Sequence, residues 1–169
     1  GDIVEHLALF LAKMAGHEVV GQQDKVTVHG VEGSRDAIID GLLVDVKSAG
    51  HRAFQKFKEH ELKTNDPFGY LDQLALYHEG SKNDPLLQVK GEYGFLAVDK
   101  ELGHIVLDRY KVEPRNWEKE ISAKRGMIAE KNPPRRAYED VPEGKSGNRI
   151  LPMQCGYCEF KKHCWRDAN

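Results

Sequence analysis

The chain has 169 residues, 40% hydrophobic and 31% charged, with a formal net charge of -2 at pH 7. That is enough chain for one globular domain burying roughly two-thirds of the surface its unfolded form exposes, and no apolar run approaches the ~20 residues of a membrane span. The balance of charge excludes a global basic field, so a nucleic-acid partner has to be held by local patches such as "HRAFQKFK" (51–58), "KRGM" (124–127) or "PPRR" (133–136).

In chain order, "DIVEHLALFLAKMA" (2–15) places Ile3, Leu7, Phe10, Leu11 and Met14 on one stripe. With Asp2 as N-cap and Gly16 as the stop, it predicts a core-facing helix whose buried stripe has His6 at its edge. "KVTVHG" alternates Val26 and Val28 and predicts a strand. "GSRDAIIDGLLVDVKSA" (33–49) follows as two strand-like runs about Asp40-Gly41, the strongest short hairpin signal a sequence offers. A second helix is predicted at about 67–79, with Asp66 as N-cap, Pro67 at the first helical position and Gly80 just past the end. "EYGFLAVD" (92–99) and "HIVLDRYKV" (104–112) predict two more strands, and a third helix follows Pro114 over about 115–130. Residues 131–152, rich in Pro, Gly and charge, read as a loop leading to "CGYCEFKKHCW". This order predicts an α/β fold, a central mixed β-sheet flanked by helices, with residues 1–152 as the core and 153–169 as a cysteine segment packed on it.

The hairpin carries charges where burial makes them expensive. A type I′ turn at Asp40-Gly41 pairs Ile39 with Leu42, Ile38 with Leu43, Ala37 with Val44, and Asp36 with Asp45. Opposed side chains have Cβ atoms ~5 Å apart, and like charges there repel. A divalent cation resolves the repulsion, because Mg²⁺ and Mn²⁺ take few carboxylates and keep several waters. Asp45 and Lys47, two apart on a strand, share a face, while Val44 and Val46 take the opposite one. Lys47 is then placed to orient or deprotonate a metal-bound water, or to offset charge developing on a phosphate. The plainer reading is a surface Asp45–Lys47 ion pair worth ~0–1 kcal/mol, with Asp36 solvated. Further on, Gln73 and Tyr77 of "QLALY" stand at i and i+4 and share one helix face.

Together these residues resemble the PD-(D/E)XK nuclease superfamily. Within it they are most similar to the RecB-like exonucleases, which include CRISPR-associated, AddB-type and phage exonucleases. "GSRD" resembles the G-x-x-D motif, which implies a metal-ligand role for Asp36. "DVK" resembles (D/E)-x-K, implying Asp45 as second ligand, Lys47 as catalytic lysine and the Val46 carbonyl as a backbone ligand. "QLALY" resembles the Q-x-x-x-Y motif of the RecB-like branch, in which Gln73 and Tyr77 would support the site and contact DNA. His6 falls where that branch has a metal-binding histidine, and Glu5 competes with it if the register of the first helix differs. Candidate DNA contacts are Arg35, Ser48, Lys56, Lys58 and Tyr70. The resemblance implies a restriction-endonuclease-like core, a Mg²⁺ or Mn²⁺ cofactor, and hydrolysis of DNA phosphodiesters from an end in recombination, repair or phage DNA processing. Two alternatives stay open: a non-catalytic DNA-binding module and a structure-specific endonuclease. The expected partners are DNA and either a second copy of the chain or a recombination protein.

Cys155, Cys158 and Cys164 have the spacing C-x2-C-x5-C, and their odd number argues against a secreted disulfide framework. With no secretory signal pattern at the start, a reducing, cytoplasmic compartment is expected. The same spacing closes the iron–sulfur members of the RecB-like branch, where a fourth, upstream cysteine completes a 4Fe–4S cluster. No cysteine precedes Cys155 here, so the expectations are a cluster with a fourth ligand from elsewhere, a Zn²⁺ site using His163 or another histidine, or unligated thiols.

Overall fold

The computed structural model describes residues 2–131 and 135–165, so part of the basic stretch 133–136 lies outside the described residues. The chain divides into two compact units, Gly1–Ile121 and Ser122–Asn169. None of the described helices is long and apolar enough to cross a membrane.

In the first unit, helix α1 (Asp2–Met14) leads to a short strand β1 (Val19–Val20), the ribbon β2 (Lys25–Val28) and β3 (Val31–Ser34), and the hairpin β4 (Ala37–Ile39) and β5 (Leu42–Ala49). Helices α2 (His51–Lys58) and α3 (Tyr70–Ser81), with a 3-10 turn at Glu61–Lys63 between them, connect β5 to β6 (Glu92–Asp99). Strand β7 (Ile105–Lys111) and the start of α4 (Trp117–Ala129) complete the unit. The central sheet has the order β1-β4-β5-β6-β7. Only β5 and β6 run parallel, which requires the long α2–α3 crossover between them. The strand predicted at "KVTVHG" does not join this sheet; it pairs with β3 as a separate ribbon.

The Asp-Gly hairpin forms as its turn chemistry demands. Asp40 and Gly41 have φ of 49° and 77°, the two positive values of a type I′ turn, and Ala37, Ile38 and Ile39 pair with Val44, Leu43 and Leu42. Helix α3 starts later than predicted, because Pro67, Phe68 and Gly69 form a turn beneath the Asp66 carboxylate. That carboxylate accepts from the amides of Tyr70 and Leu71 and so still caps the helix. Gly80 lies inside α3 rather than ending it, and a Cβ there would stand 3.1 Å from Val26 and Val28, so its bareness lets the ribbon pack closely. The basic stretch 51–58 is α2, whose Phe54 and Phe57 are buried.

Helix α1 forms but is turned from the predicted face. Ile3, Leu7, Phe10, Leu11 and Met14 are exposed, and the helix packs through Ala8 and Leu9, with Glu5 and Ala12 half-buried beside them. Small Ala8 and Ala12, four apart, let the helix lie close on Val46 and Ala37 of the sheet. The opposite sheet face is thicker, with Ile38, Leu43, Phe95, Ala97 and Tyr110 packed against Phe54, Phe57 and Leu74.

The second unit holds the rest of α4, a two-stranded ribbon β8 (Val141–Pro142) and β9 (Arg149–Ile150), and two single-turn helices, α5 (Met153–Gly156) and α6 (Lys161–Cys164). The Arg136 guanidinium lies 4.3 Å over the Trp165 ring.

Candidate metal and catalytic site

Strand β5 presents Asp45 and Lys47 on the face that carries their sheet partners Phe95 and Ala97, toward the α2–α3 layer. Val44 and Val46 are buried on the other side. Asp36 falls one residue beyond the β4 ladder, which ends at Ala37, so it does not oppose Asp45 in a regular pair. Its carboxylate takes over where the backbone pairing stops: Oδ2 accepts the Val46 N–H at 2.8 Å. Val46 was expected to offer its carbonyl; the contact it makes at this site is through its amide.

Lys47 Nζ lies 2.7 Å from Asp45 Oδ2 as an ion pair. Apart from that ammonium, the buried oxygen meets no donor among the described residues. The Asp45 side chain is only 7% exposed, and Lys47 leans over the Tyr70 ring at 4.5 Å. Burial and then the charge of Asp45 push the Asp36 carboxyl up to about 6, with the Val46 amide and Lys47 pulling the other way and Glu5 adding to the rise. Asp45 is also raised, first by burial and further by Glu5, against the pull of Lys47. Three carboxylates thus press on one another around a single lysine.

The rotation of α1 decides which of its residues belongs here. Glu5 turns inward, acts electrostatically on both aspartates, and accepts from Gln23 Nε2 at 2.6 Å. His6 is exposed, with Nδ1 2.7 Å from the Asp2 carbonyl of its own helix. Of the two candidates on this helix, Glu5 is the one that acts electrostatically on Asp36 and Asp45, while the His6 ring bonds to its own helix.

On α3, Tyr70, Gln73 and Tyr77 recur at i, i+3 and i+7 and form one face, running from Lys47 to the β2–β3 ribbon. Gln73 Nε2 donates to the Tyr77 hydroxyl at 3.3 Å, and the Tyr77 ring seats on bare Gly33, where a Cβ would lie 2.5 Å away. Arg35 is not available to DNA as expected. It is 2% exposed, with its guanidinium held by Asp24, Asp84 and the Ser81 hydroxyl, and it locks the ribbon to the end of α3. Ser48, Lys56 and Tyr70 line a cleft beside Lys47 with a volume of about 170 Å³, and Lys58 is exposed on α2 outside that lining.

Among the described residues no three His, Cys, Asp or Glu side chains converge as a ready metal cage. The acids still fit a small hard cation. Mg²⁺ and Mn²⁺ bind through one or two carboxylates and keep waters, and the buried Asp45 Oδ2 meets nothing but the Lys47 ammonium among the described residues. The cysteines lie in the second unit as free thiols, Cys155 and Cys158 half-buried and Cys164 exposed. The Cys158 amide donates to the Cys155 carbonyl in a tight turn. Comparisons with protein-family models, curated proteins and solved structures found no match to this chain.

Proposed function

We propose that the first unit is a Mg²⁺- or Mn²⁺-dependent deoxyribonuclease of the PD-(D/E)XK type, acting as an exonuclease on DNA in recombination, repair or phage DNA processing. One observation carries the reading. Asp36 and Asp45 are brought together with Lys47 under conditions that disfavour their charges, and the buried Asp45 oxygen meets only the Lys47 ammonium. A structural ion pair has no use for the second and third acids, whereas a cation site does.

Asp36 and Asp45 would hold the cation, with Glu5 adjusting its field from α1. When bound, the cation supplies Lewis-acid activation of water and of the scissile phosphate. The Val46 amide fixes one Asp36 oxygen, leaving the other to face a ligand. Lys47 is restrained by Asp45 and Tyr70, so its ammonium is already in place to stabilise charge gathering on the phosphate, without reorganisation during the reaction. Gln73 and Tyr77 set the position of the α3 face beside it.

For the cysteines the proposal is a structural thiolate centre, a 4Fe–4S cluster or zinc, completed by a fourth ligand from His163 or another group. Iron and zinc analysis of anaerobically purified protein, with absorbance near 400 nm read as the mark of a cluster, decides between them.

The nuclease reading is tested with end-labelled linear DNA and the same DNA as a closed circle, in Mn²⁺. Linear DNA is degraded and the circle spared. Equal attack on both would replace the exonuclease by an endonuclease, and no attack on either would remove the activity.

A further inference from the structure

The two faces of the central sheet are covered unequally. One carries the α2–α3 layer and the candidate site. The other is covered by α1 over Ala37 and Val46, and beyond that contact Ile105 and Leu107 of β7 are exposed. A parallel pair such as β5 and β6 is ordinarily covered on both sides. Between α1 and β7 runs a groove of about 470 Å³, walled by Leu11 and Ala15 on one side and by Ile105 and Leu107 on the other, with Val44 and Leu96 in its floor. The charges at its rim are already paired, His17 with Asp40 and Arg109 with Glu92, each at 2.6 Å. The groove therefore suits an apolar occupant and calls for no charged one.

Beside the groove stands a ridge. Ile3, Leu7, Phe10 and Met14 recur at i, i+4, i+7 and i+11 along α1, on the side away from Ala8, Leu9 and Ala12. With Leu11, Ile105 and Leu107 they make seven large apolar side chains that are from 45% to 85% exposed. Together they present on the order of 800 Å² of apolar surface to water, more than the largest patch of a typical monomer and about one partner's share of a standard interface. A small apolar molecule in the groove would leave the ridge in water. A second copy of the chain covers both, because a surface with a ridge and a groove side by side is complementary to itself after a half-turn about an axis along them.

We infer that this face is the interface of a twofold dimer of this chain, with the α1 ridge of each copy seated in the groove of the other. Each α1 then lies between two sheets, touching its own through Ala8 and Leu9 and the second copy's through Ile3, Leu7, Phe10 and Met14. Asp45 and Lys47 point to the opposite face of each sheet, so the interface leaves both candidate sites uncovered. Nothing in this interface depends on the nuclease reading.

The test is the mass of the full chain in solution, followed by sedimentation from about 1 to about 100 μM in reductant, which keeps the free thiols from linking copies. An interface of this size gives a dimer with a Kd of about 1 μM or below. Phe10→Glu on the ridge and Leu107→Lys in the groove wall each raise that Kd about 100-fold or more, because each buries a charge without a partner. Both positions are exposed in the single chain, so each variant keeps the wild-type circular dichroism. Mixed in equal amounts, the two variants form a dimer about tenfold tighter than either makes alone, since the carboxylate introduced in one meets the ammonium introduced in the other while the second ridge and groove stay native. A chain that stays monomeric at the highest concentration overturns the interface and leaves the face to a partner of another kind. A dimer that neither substitution weakens lies elsewhere on the chain and overturns it as well. Loss of the dimer with Phe10→Glu but not with Leu107→Lys, or no recovery in the mixture, overturns the seating of ridge in groove.

Discussion

Two sets of aspartates lie on or beside the same sheet, and they are treated in opposite ways. Asp99 and Asp108 are as deeply buried as Asp45, yet each is surrounded by donors. Asp99 accepts from His51 and from the amides of Glu101 and Leu102, and although burial pulls its carboxyl upward, these bonds outweigh it and hold it below the ordinary range. Asp108 is held by the Tyr110 hydroxyl and by His60, which stacks on the Tyr110 ring at 4.3 Å. Asp36 and Asp45 share one amide and one lysine, and repel each other and Glu5. Burial alone therefore does not set Asp36 and Asp45 apart. What sets them apart is a deficit of donors and cations, and a buried charge short of partners persists only where something else compensates it.

Substitution can sharpen or erase that contrast. The largest effect is expected on catalysis: Lys47→Ala or Asp45→Ala should lower Mn²⁺-dependent cleavage by about 10³-fold or more, while Asp99→Asn leaves the rate per folded molecule near wild type. Single-turnover rates on end-labelled DNA decide this, and retained cleavage in Lys47→Ala would equate the two sets. Stability should move in opposite senses. The folded pKa of Asp36 is about 6 against an ordinary 3.8, so the folded state holds its proton more tightly than the unfolded one. Metal-free stability is then greatest below pH 4 as far as this group is concerned, and falls as pH rises from about 4 to 6 by on the order of 2 kcal/mol. Urea titrations across that range, in EDTA, should show the fall, and Mn²⁺ or Asp36→Asn should flatten it. Asp108→Asn, by contrast, should destabilise by about 2 kcal/mol through lost charge-assisted bonds, with metal present or absent.

The contrast also shows what the sequence could reveal. The register of β4 and β5 was legible because Asp-Gly is one of few pairs that tolerate two positive φ values, and alternation fixed which face Lys47 and Asp45 take. The departure of Asp36 from the ladder was not, since nothing in "GSRDAIID" says where pairing stops; only the tertiary position of the ribbon, pinned by buried Arg35, ends it. The Phe54 and Phe57 spacing of i, i+3 would have revealed α2, but the surrounding Lys and Arg led to a basic patch. Helix α1 misled for a physical reason. Large apolar residues dominate any reading of amphipathicity, whereas close approach to a sheet favours small ones, and Ala8 and Ala12 won.

The rotation of α1 supplies the most delicate prediction, because it separates neighbouring residues. If Glu5 belongs to the deficient set, Glu5→Gln removes one of three mutually repelling charges and one contribution to the field that attracts a cation. Supporting groups around a metal site typically change affinity by 10–100-fold, and a partner acting across a gap should lie at the low end, so Mn²⁺ affinity is expected to fall about tenfold. The same substitution relieves Asp36 and Asp45, so the metal-free fall in stability that starts near pH 4 should end at a lower pH and be smaller. His6→Ala should do neither, because its ring is exposed and bonded to its own helix. Isothermal titration with Mn²⁺ on both variants reads the difference. A loss with His6→Ala and none with Glu5→Gln would mean that α1 sits in the register its large residues suggested, with the histidine turned to the acids.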